Sequence, residues 1–313
     1  MAIMPENRSL TASAIDAACQ RMADDDAHDE MTLRASGMGN DCDRALWMSH
    51  RWAAPRKSVS PRIKRIFDNG HDREARIVRY LKAAGLTVED RDPSKGEQWR
   101  VSLVGGVLLG SADGIVTGVP EAPVTRHLLE IKTMNKKRWQ EWRRKGVKDS
   151  NPGYWVQMQI YMRGLDLKRA LLVCECQDTK EIETERVCYD ELAAAAIEAR
   201  AMRVASATTG PDRIGKPDAW PCNLCDWHDV CHGLVMPRRN CRTCIAVKPD
   251  GTSWHCQRHG YTVDIDRAAV GCALHLYEPS LIAGEQVDAD DKANAVTYRM
   301  PDGSTWIDGM VAS

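Results

Sequence analysis

The sequence predicts an α/β fold: a mixed central sheet flanked by helices, with a small cysteine-rich module at the C-terminal end. Two observations carry this. Apolar spacing along the chain gives the order helix, three strands, helices, two strands, helix, which is the pattern of an α/β layer. Seven of the twelve cysteines then fall between positions 222 and 272, in short pairs, beyond a segment broken by Gly210, Pro211, Gly215 and Pro217.

The elements follow in order. A helical N-terminal segment precedes RASGMGNDCDRALWMSHRW, a loop around Cys42 that leads into a short helix. SPRIKRIFDNGHDREARIVRYLKAAG reads as one helix, with Ser60 as cap, Pro61 in its first turn, Gly85 at its end and an apolar stripe of Ile63, Ile66, Phe67, Ile77, Val78 and Leu81. Residues 99–133 give three strands, the second VLLGSADGIV and the third LLEIKT; a basic helix, a helix at YWVQMQIYM, the strands ALLVCEC and EIETERVCY and a helix near 189–206 complete the layer. The division expected is 1–235 for the α/β unit and 236–313 for the cysteine-rich module, which ends in a hairpin turning at Pro301, Asp302 and Gly303.

Composition excludes several classes. With 43% apolar and 28% charged residues the chain is globular rather than disordered. A formal charge of -1 means that a nucleic-acid partner would have to be met by a local patch. No apolar run is long enough for a bilayer and MAIMPENRSL lacks the stretch of a signal peptide, so an intracellular, cytoplasmic protein without a membrane partner is expected.

LLEIKT places Glu130 and Lys132 on one face of a strand and Leu129 and Ile131 on the other. A buried ion pair adds little stability, so such a pair points to chemistry; an edge strand with its charged face in water is the bland alternative. Asp113 lies on the preceding strand, close enough across a strand pair for two carboxylates to share Mg²⁺ or Mn²⁺. On the upstream helix Gly70 would admit another backbone and Glu74, one turn on, could reach the same ion. Gln157 and Tyr161, four apart, present an amide and a phenol on one helix face.

Gly70-x-x-x-Glu74, GSAD ending at Asp113, Glu130-Ile131-Lys132 and Gln157-x-x-x-Tyr161 together resemble the PD-(D/E)xK nucleases, in their RecB-type and lambda-exonuclease-type branch, over roughly residues 30–235. The resemblance implies a restriction-endonuclease-like core. It implies Asp113, Glu130 and the Ile131 carbonyl as metal ligands, Lys132 as the residue that polarises the attacking water, and Gln157 and Tyr161 as helpers at the DNA. Many members carry histidine where this chain has Glu74; His71 is out of register with that position.

Twelve cysteines in an intracellular chain argue for metal rather than disulfides. Cys174, Cys176 and Cys188 fall in strand-like stretches and read as core thiols. Cys222, Cys225 and Cys231 form a triplet short of one ligand, which Cys42 can supply; four thiolates suit zinc or a cubane cluster, with His228 and His232 as ligands under the zinc alternative. A lone upstream cysteine with a C-terminal triplet resembles the iron-sulfur subgroup of the same nucleases, AddB-type and CRISPR-associated exonucleases among them, and so implies a [4Fe-4S] cluster. Cys241, Cys244, Cys256 and Cys272 form a second four-thiolate set that reads as a zinc ribbon, with His259 or His275 as fallback ligands.

Residues 126–148 are heavily basic, with Lys136, Lys137, Arg138, Arg143 and Arg144 suited to phosphates and Trp139 and Trp142 suited to stacking on an unpaired base. Arg56, Lys57, Arg62, Lys64 and Arg65 would extend that groove. The reading is a metal-dependent DNA exonuclease of phage-type recombination, replication or repair, with a recombination or replication protein as the partner class. The alternative is a noncatalytic zinc-dependent nucleic-acid-binding protein.

Overall fold

The computed structural model describes residues 9–26, 29, 31–54 and 58–309. In chain order the elements are α1 (Leu10–Asp26), β1 (Leu33–Arg34), α2 (Asp43–His50), α3 (Pro61–Ala83), β2 (Thr87–Glu89), β3 (Trp99–Leu103), β4 (Leu108–Ala112), β5 (Gly114–Thr117), β6 (His127–Met134), α4 (Lys136–Lys145), α5 (Val147–Ser150), α6 (Pro152–Gly164), β7 (Arg169–Cys176), β8 (Ile182–Cys188) and α7 (Glu191–Ser206). The C-terminal part adds α8 (His228–Cys231), β9 (Val247–Asp250), β10 (Ser253–Cys256), β11 (Tyr261–Thr262), α9 (Ile265–Val270), β12 (Glu285–Asp290), β13 (Ala295–Arg299) and β14 (Thr305–Gly309).

The expected mixed sheet is present, in the order β2-β5-β6-β7-β8. Only β6 and β7 run parallel, joined by a crossover through α4, α5 and α6; the other pairs are antiparallel. Alternation along β6 supplies both faces of the layer. Leu129 and Ile131 pack with Val116, Leu171 and Val173 beneath Ile77 and Val78 of α3, while Leu128 and Met134 join Leu172 and Cys174 in the core shared with α2 and α6. Each such aliphatic side chain contributes about 1.5–3 kcal/mol by leaving water. β6 is therefore a central strand, and the edge-strand explanation of its charges fails.

VLLGSADGIV is not one strand. It divides at Asp113: β4 pairs with β1 and β3 in a separate three-stranded sheet, and β5 enters the central one. The break has a local cause, because Asp113 turns its carboxylate onto the Ile131 N–H instead of continuing the ladder. The stripe on α3 is shorter than expected. Ile77 and Val78 are buried in the sheet core, but Ile66 and Phe67 stand 42% and 54% exposed and do not join it. A side chain at Gly70 would meet nothing within 4 Å, so no backbone approaches there. Cys174 and Cys176 are core thiols, whereas Cys188 is exposed at the end of edge strand β8.

The Gly- and Pro-containing segment is no loose tether. Arg44 Nη1 donates to the Pro211 carbonyl and the Gly210 N–H to Ser280 Oγ. Beyond it, β9–β11 form an antiparallel sheet and β12–β14 another, with the β13–β14 turn at Pro301 to Gly303 as expected and Gly303 supplying the positive φ of 83° that the turn requires. Arg56 and Lys57 lie outside the described residues. Among those residues no helix is long and apolar enough to cross a membrane.

A glycine fixes where α6 sits on the small sheet. A Cβ at Gly110 would lie 2.4 Å from Tyr161 Cε1 and 2.9 Å from Ala35 Cβ. Gly110→Ala should therefore lower stability by about 1–3 kcal/mol through overpacking. An unchanged melting temperature would show that Tyr161 has room to turn.

Candidate active site

The site forms at the N-terminal end of β5. Its ladder with β6 ends at the Gly114–Leu129 pair, so the next residues of β6 face Asp113 rather than a neighbouring strand. Asp113 Oδ2 accepts from the Ile131 N–H at 2.7 Å. Glu130, two residues from Lys132, shares its face of the strand and has no exposure to solvent. Lys132 Nζ lies 2.6 Å from Glu130 Oε1, and Glu130 Oε2 is buried without any partner. A buried carboxylate oxygen with nothing bound to it is costly. A cation would satisfy it.

Electrostatics agree with that reading. Burial pushes Glu130 up to about 7, with Lys132 opposing and Asp113 and Glu74 adding to the rise. Burial raises Asp113 as well, and Glu74 on α3 rises by burial and by the Asp113 charge. Burial works against the Lys132 ammonium, yet the Glu130 and Asp113 carboxylates outweigh it and its pKa moves up. Three carboxyl groups thus surround one permanent cation. Oxygen donors in excess of local positive charge are what a hard divalent ion takes. As placed, no three His, Cys, Asp or Glu side chains among the described residues converge tightly enough to enclose one ion.

α6 closes the site from above. Gln157 Nε2 donates to Tyr161 Oη at 2.9 Å, both are buried, and burial with the Glu130 charge behind it raises the Tyr161 phenol to about 12. Tyr161 remains a neutral hydroxyl throughout the physiological range. One neighbour was not anticipated: Tyr154, whose ring centroid is 5.1 Å from Lys132 Nζ. Its position three residues before Gln157, on the same helix face, was the available signal. His71 is exposed, and it enters the surroundings of Glu74 and Asp113 only as a minor influence against their rise.

The basic segment separates into two faces. Trp139 and Trp142 are each 3% exposed and face inward, Trp142 Nε1 donating to Glu185, so neither is available to stack on a base. Arg143 is paired with Glu183, and Arg138 donates to Asn151. Lys136, Lys137 and Arg144 are exposed and enter no salt bridge among the described residues. Lys64 and Arg65 pair with Asp26 and Asp16 of α1, and Arg62 is exposed.

The cysteines gather in two places. Cys42, Cys222, Cys225 and Cys231 line one cavity of about 20 Å³ with Met48, Trp227 and Ile214, and Cys42 is the N-cap of α2, its Sγ accepting from the Ala45 N–H. His228 also lines this cavity, with its ring nitrogens 2.9 Å from Asp229 Oδ1 and 3.1 Å from the Pro217 carbonyl. Cys241, Cys244, Cys256 and Cys272 line a second cavity of about 10 Å³ together with His259 and His275.

No protein-family model matches the chain, and no protein of curated function resembles it in sequence. Among solved structures it is similar to an alkaline exonuclease from Laribacter hongkongensis, at 17% identity and a TM-score of 0.41, covering 61% of this chain and 90% of that one. The same enzyme in complex with dAMP gives 18% identity, a TM-score of 0.41 and the same coverage. A phage-related exonuclease from Haemophilus somnus 129PT is similar at 15% identity and a TM-score of 0.38, over 58% of this chain and 94% of that one.

The raised Glu130 gives a pH-dependent prediction. Its folded pKa of about 7 lies above the ordinary 4.5, so its contribution to stability is fully present below pH 4.5 and is lost as pH rises through 7. The metal-free protein should thus melt lower at pH 8 than at pH 5.5, less so in Glu130→Gln. Mg²⁺ should restore stability mainly at pH 8, and only when Glu130 is present. Equal stabilisation of Glu130→Gln by Mg²⁺ would place the cation elsewhere.

Proposed function

We propose that this protein is a divalent-cation-dependent deoxyribonuclease, acting as an exonuclease in phage-type recombination, replication or repair beside a partner protein of those processes. The observation that carries the reading is the partnerless Glu130 carboxylate oxygen, buried next to Asp113 and Lys132 at the N-terminal end of β5. In this reading residues 1–235 form the nuclease unit and 236–313 an appended module.

Asp113, Glu130 and the Ile131 carbonyl would hold Mg²⁺ or Mn²⁺, with Glu74 within electrostatic reach. Such an ion supplies Lewis-acid activation of a phosphodiester and of the water that attacks it. Lys132, held by Glu130 and by the Tyr154 ring, keeps its proton and so provides a fixed positive charge beside that water. Tyr161, un-ionised and hydrogen-bonded to Gln157, offers a neutral donor to a phosphate oxygen without adding negative charge. Lys136, Lys137 and Arg144, on the outer face of the helix that directly follows β6, would neutralise the backbone of the bound strand. The choice of exonuclease over endonuclease, and of a [4Fe-4S] cluster at Cys42, Cys222, Cys225 and Cys231, follows the motif resemblance. The four thiols of that cavity suit such a cluster.

The test is cleavage of end-labelled DNA with Mg²⁺ or Mn²⁺. Asp113→Ala, Glu130→Ala and Lys132→Ala should each lower the rate by at least ~100-fold while DNA binding persists. DNA binding by the wild type without cleavage would favour the noncatalytic alternative.

Replacing Lys136, Lys137 and Arg144 by glutamine should weaken DNA binding and flatten its salt dependence by roughly one counterion for each phosphate no longer neutralised. An unaltered salt slope would show that this face of α4 points away from DNA.

A further inference from the structure

Cys241 opens a 3₁₀ turn, Cys241–Thr243, that Cys244 closes and whose start is fixed by a capping box between Asn240 and Thr243. Cys256 ends β10, Cys272 follows α9, and no disulfide joins them. The cavity they line is about 10 Å³, of the order of one ion, and as placed the four thiols stand around it without yet closing on one. Four thiolates facing one cavity are the donor set of a tetrahedral structural zinc. The apolar cluster there is small, centred on Trp52, Val247, Trp254, Val263 and Ala268, and a core of that size needs a staple.

Arg242 lies between the two turn cysteines, and it points away from the cavity into the rest of the protein. Its guanidinium is buried 3.8 Å from the Trp52 ring centroid and 5.0 Å from that of Trp254. Nη1 donates to the carbonyls of His50, at 2.9 Å, and Met31, at 3.2 Å. Arg51 answers in the opposite direction. It donates to the Arg242 carbonyl at 2.7 Å and stands 4.8 Å from the Trp47 ring and 5.3 Å from that of Trp254. Asn240 Nδ2 donates to the Trp52 carbonyl, and Trp52 sits at φ 54°, a region that bulky residues adopt only when their surroundings impose it. His50, Arg51 and Trp52 form the C-terminal end of α2 and the two residues after it; the N-cap of the same helix is Cys42, in the first thiol cavity.

We propose that Cys241, Cys244, Cys256 and Cys272 bind one Zn²⁺, which holds the Cys241–Cys244 turn around Arg242 and thereby locks α2 and its capping residue Cys42 in place. Without the metal the turn is free to open, Arg242 loses its two carbonyls and its aromatic slot, and Trp52 can leave its strained conformation. α2 then loses the anchor at one end. The helix is only eight residues long, so loosening at His50 reaches Cys42 directly. Neither step involves Glu130 or DNA.

The experiment uses the full-length protein stripped by chelation and titrated with Zn²⁺ alone, read by zinc content and by hydrogen exchange of the α2 amides. One zinc per chain should bind at this set, and the α2 amides should exchange at least ~10-fold more slowly with it than without it. Cys256→Ser should lose both the zinc and the protection. Arg242→Leu should keep the zinc and still show the fast exchange of the stripped protein, while Cys222→Ser, which breaks only the first set, should keep zinc-dependent protection. Stripped wild type that binds no zinc, or α2 protection indifferent to zinc, would overturn the proposal. So would protection that survives Cys256→Ser and is lost in Cys222→Ser.

Discussion

A carboxylate and an ammonium on the central strand of a sheet constrain everything around them. Glu130 cannot reach water and Lys132 is mostly covered, so the neighbouring elements must accommodate charge where a sheet normally buries aliphatic side chains. Three departures from regular packing make the accommodation. The β5–β6 ladder ends before reaching Ile131, Asp113 takes the freed N–H, and α6 presents an amide and two phenols over the pair instead of leucines. Gly110 allows the last of these, because only a residue without Cβ lets Tyr161 descend onto β4. Removing the charge requirement would leave no reason for any of the three.

Much of this was legible in the sequence, and the parts that were not have physical causes. Strand alternation alone places Glu130 with Lys132, and helix spacing alone places Gln157 with Tyr161. Alternation does not say whether a strand is central or at an edge; that depends on β7 and β8, more than thirty residues downstream, which decide the burial. The division of VLLGSADGIV was hidden because its apolar run continues through Asp113, while the two halves join different sheets. Trp139 and Trp142 read equally well as stacking platforms or as the inner face of an amphipathic helix, and the partner that settles it, Glu185, is on β8. Ile66 and Phe67 continue the stripe of α3 past the region where the sheet lies beneath it.

The grouping of cysteines followed from spacing, and the two cavities bring together the same fours. Spacing could not show how the two groups are joined. Arg51 and Arg242 are almost two hundred residues apart and carry no pattern that pairs them. Their meeting depends on three tryptophans arriving from two parts of the chain, Trp47 in α2 and Trp52 just after it, and Trp254 on β10.

Two buried guanidinium groups are an expensive way to join two segments, since burial lowers both to about 10. An apolar plug would pack as well, but it would accept many orientations. Each guanidinium has donors in a fixed plane, and each here satisfies backbone carbonyls at specific positions: His50 and Met31 for Arg242; Arg242, Ala207 and Thr208 for Arg51. These bonds define the angle at which α2 meets the C-terminal turn. Arg51 also fixes the end of α7 through the Ala207 and Thr208 carbonyls, and Trp47 Nε1 adds a further bond to Ala207. The position of Cys42 relative to Cys222, Cys225 and Cys231 thus depends on directional bonds made at the far end of its helix, where the sequence shows only an Arg-Trp pair.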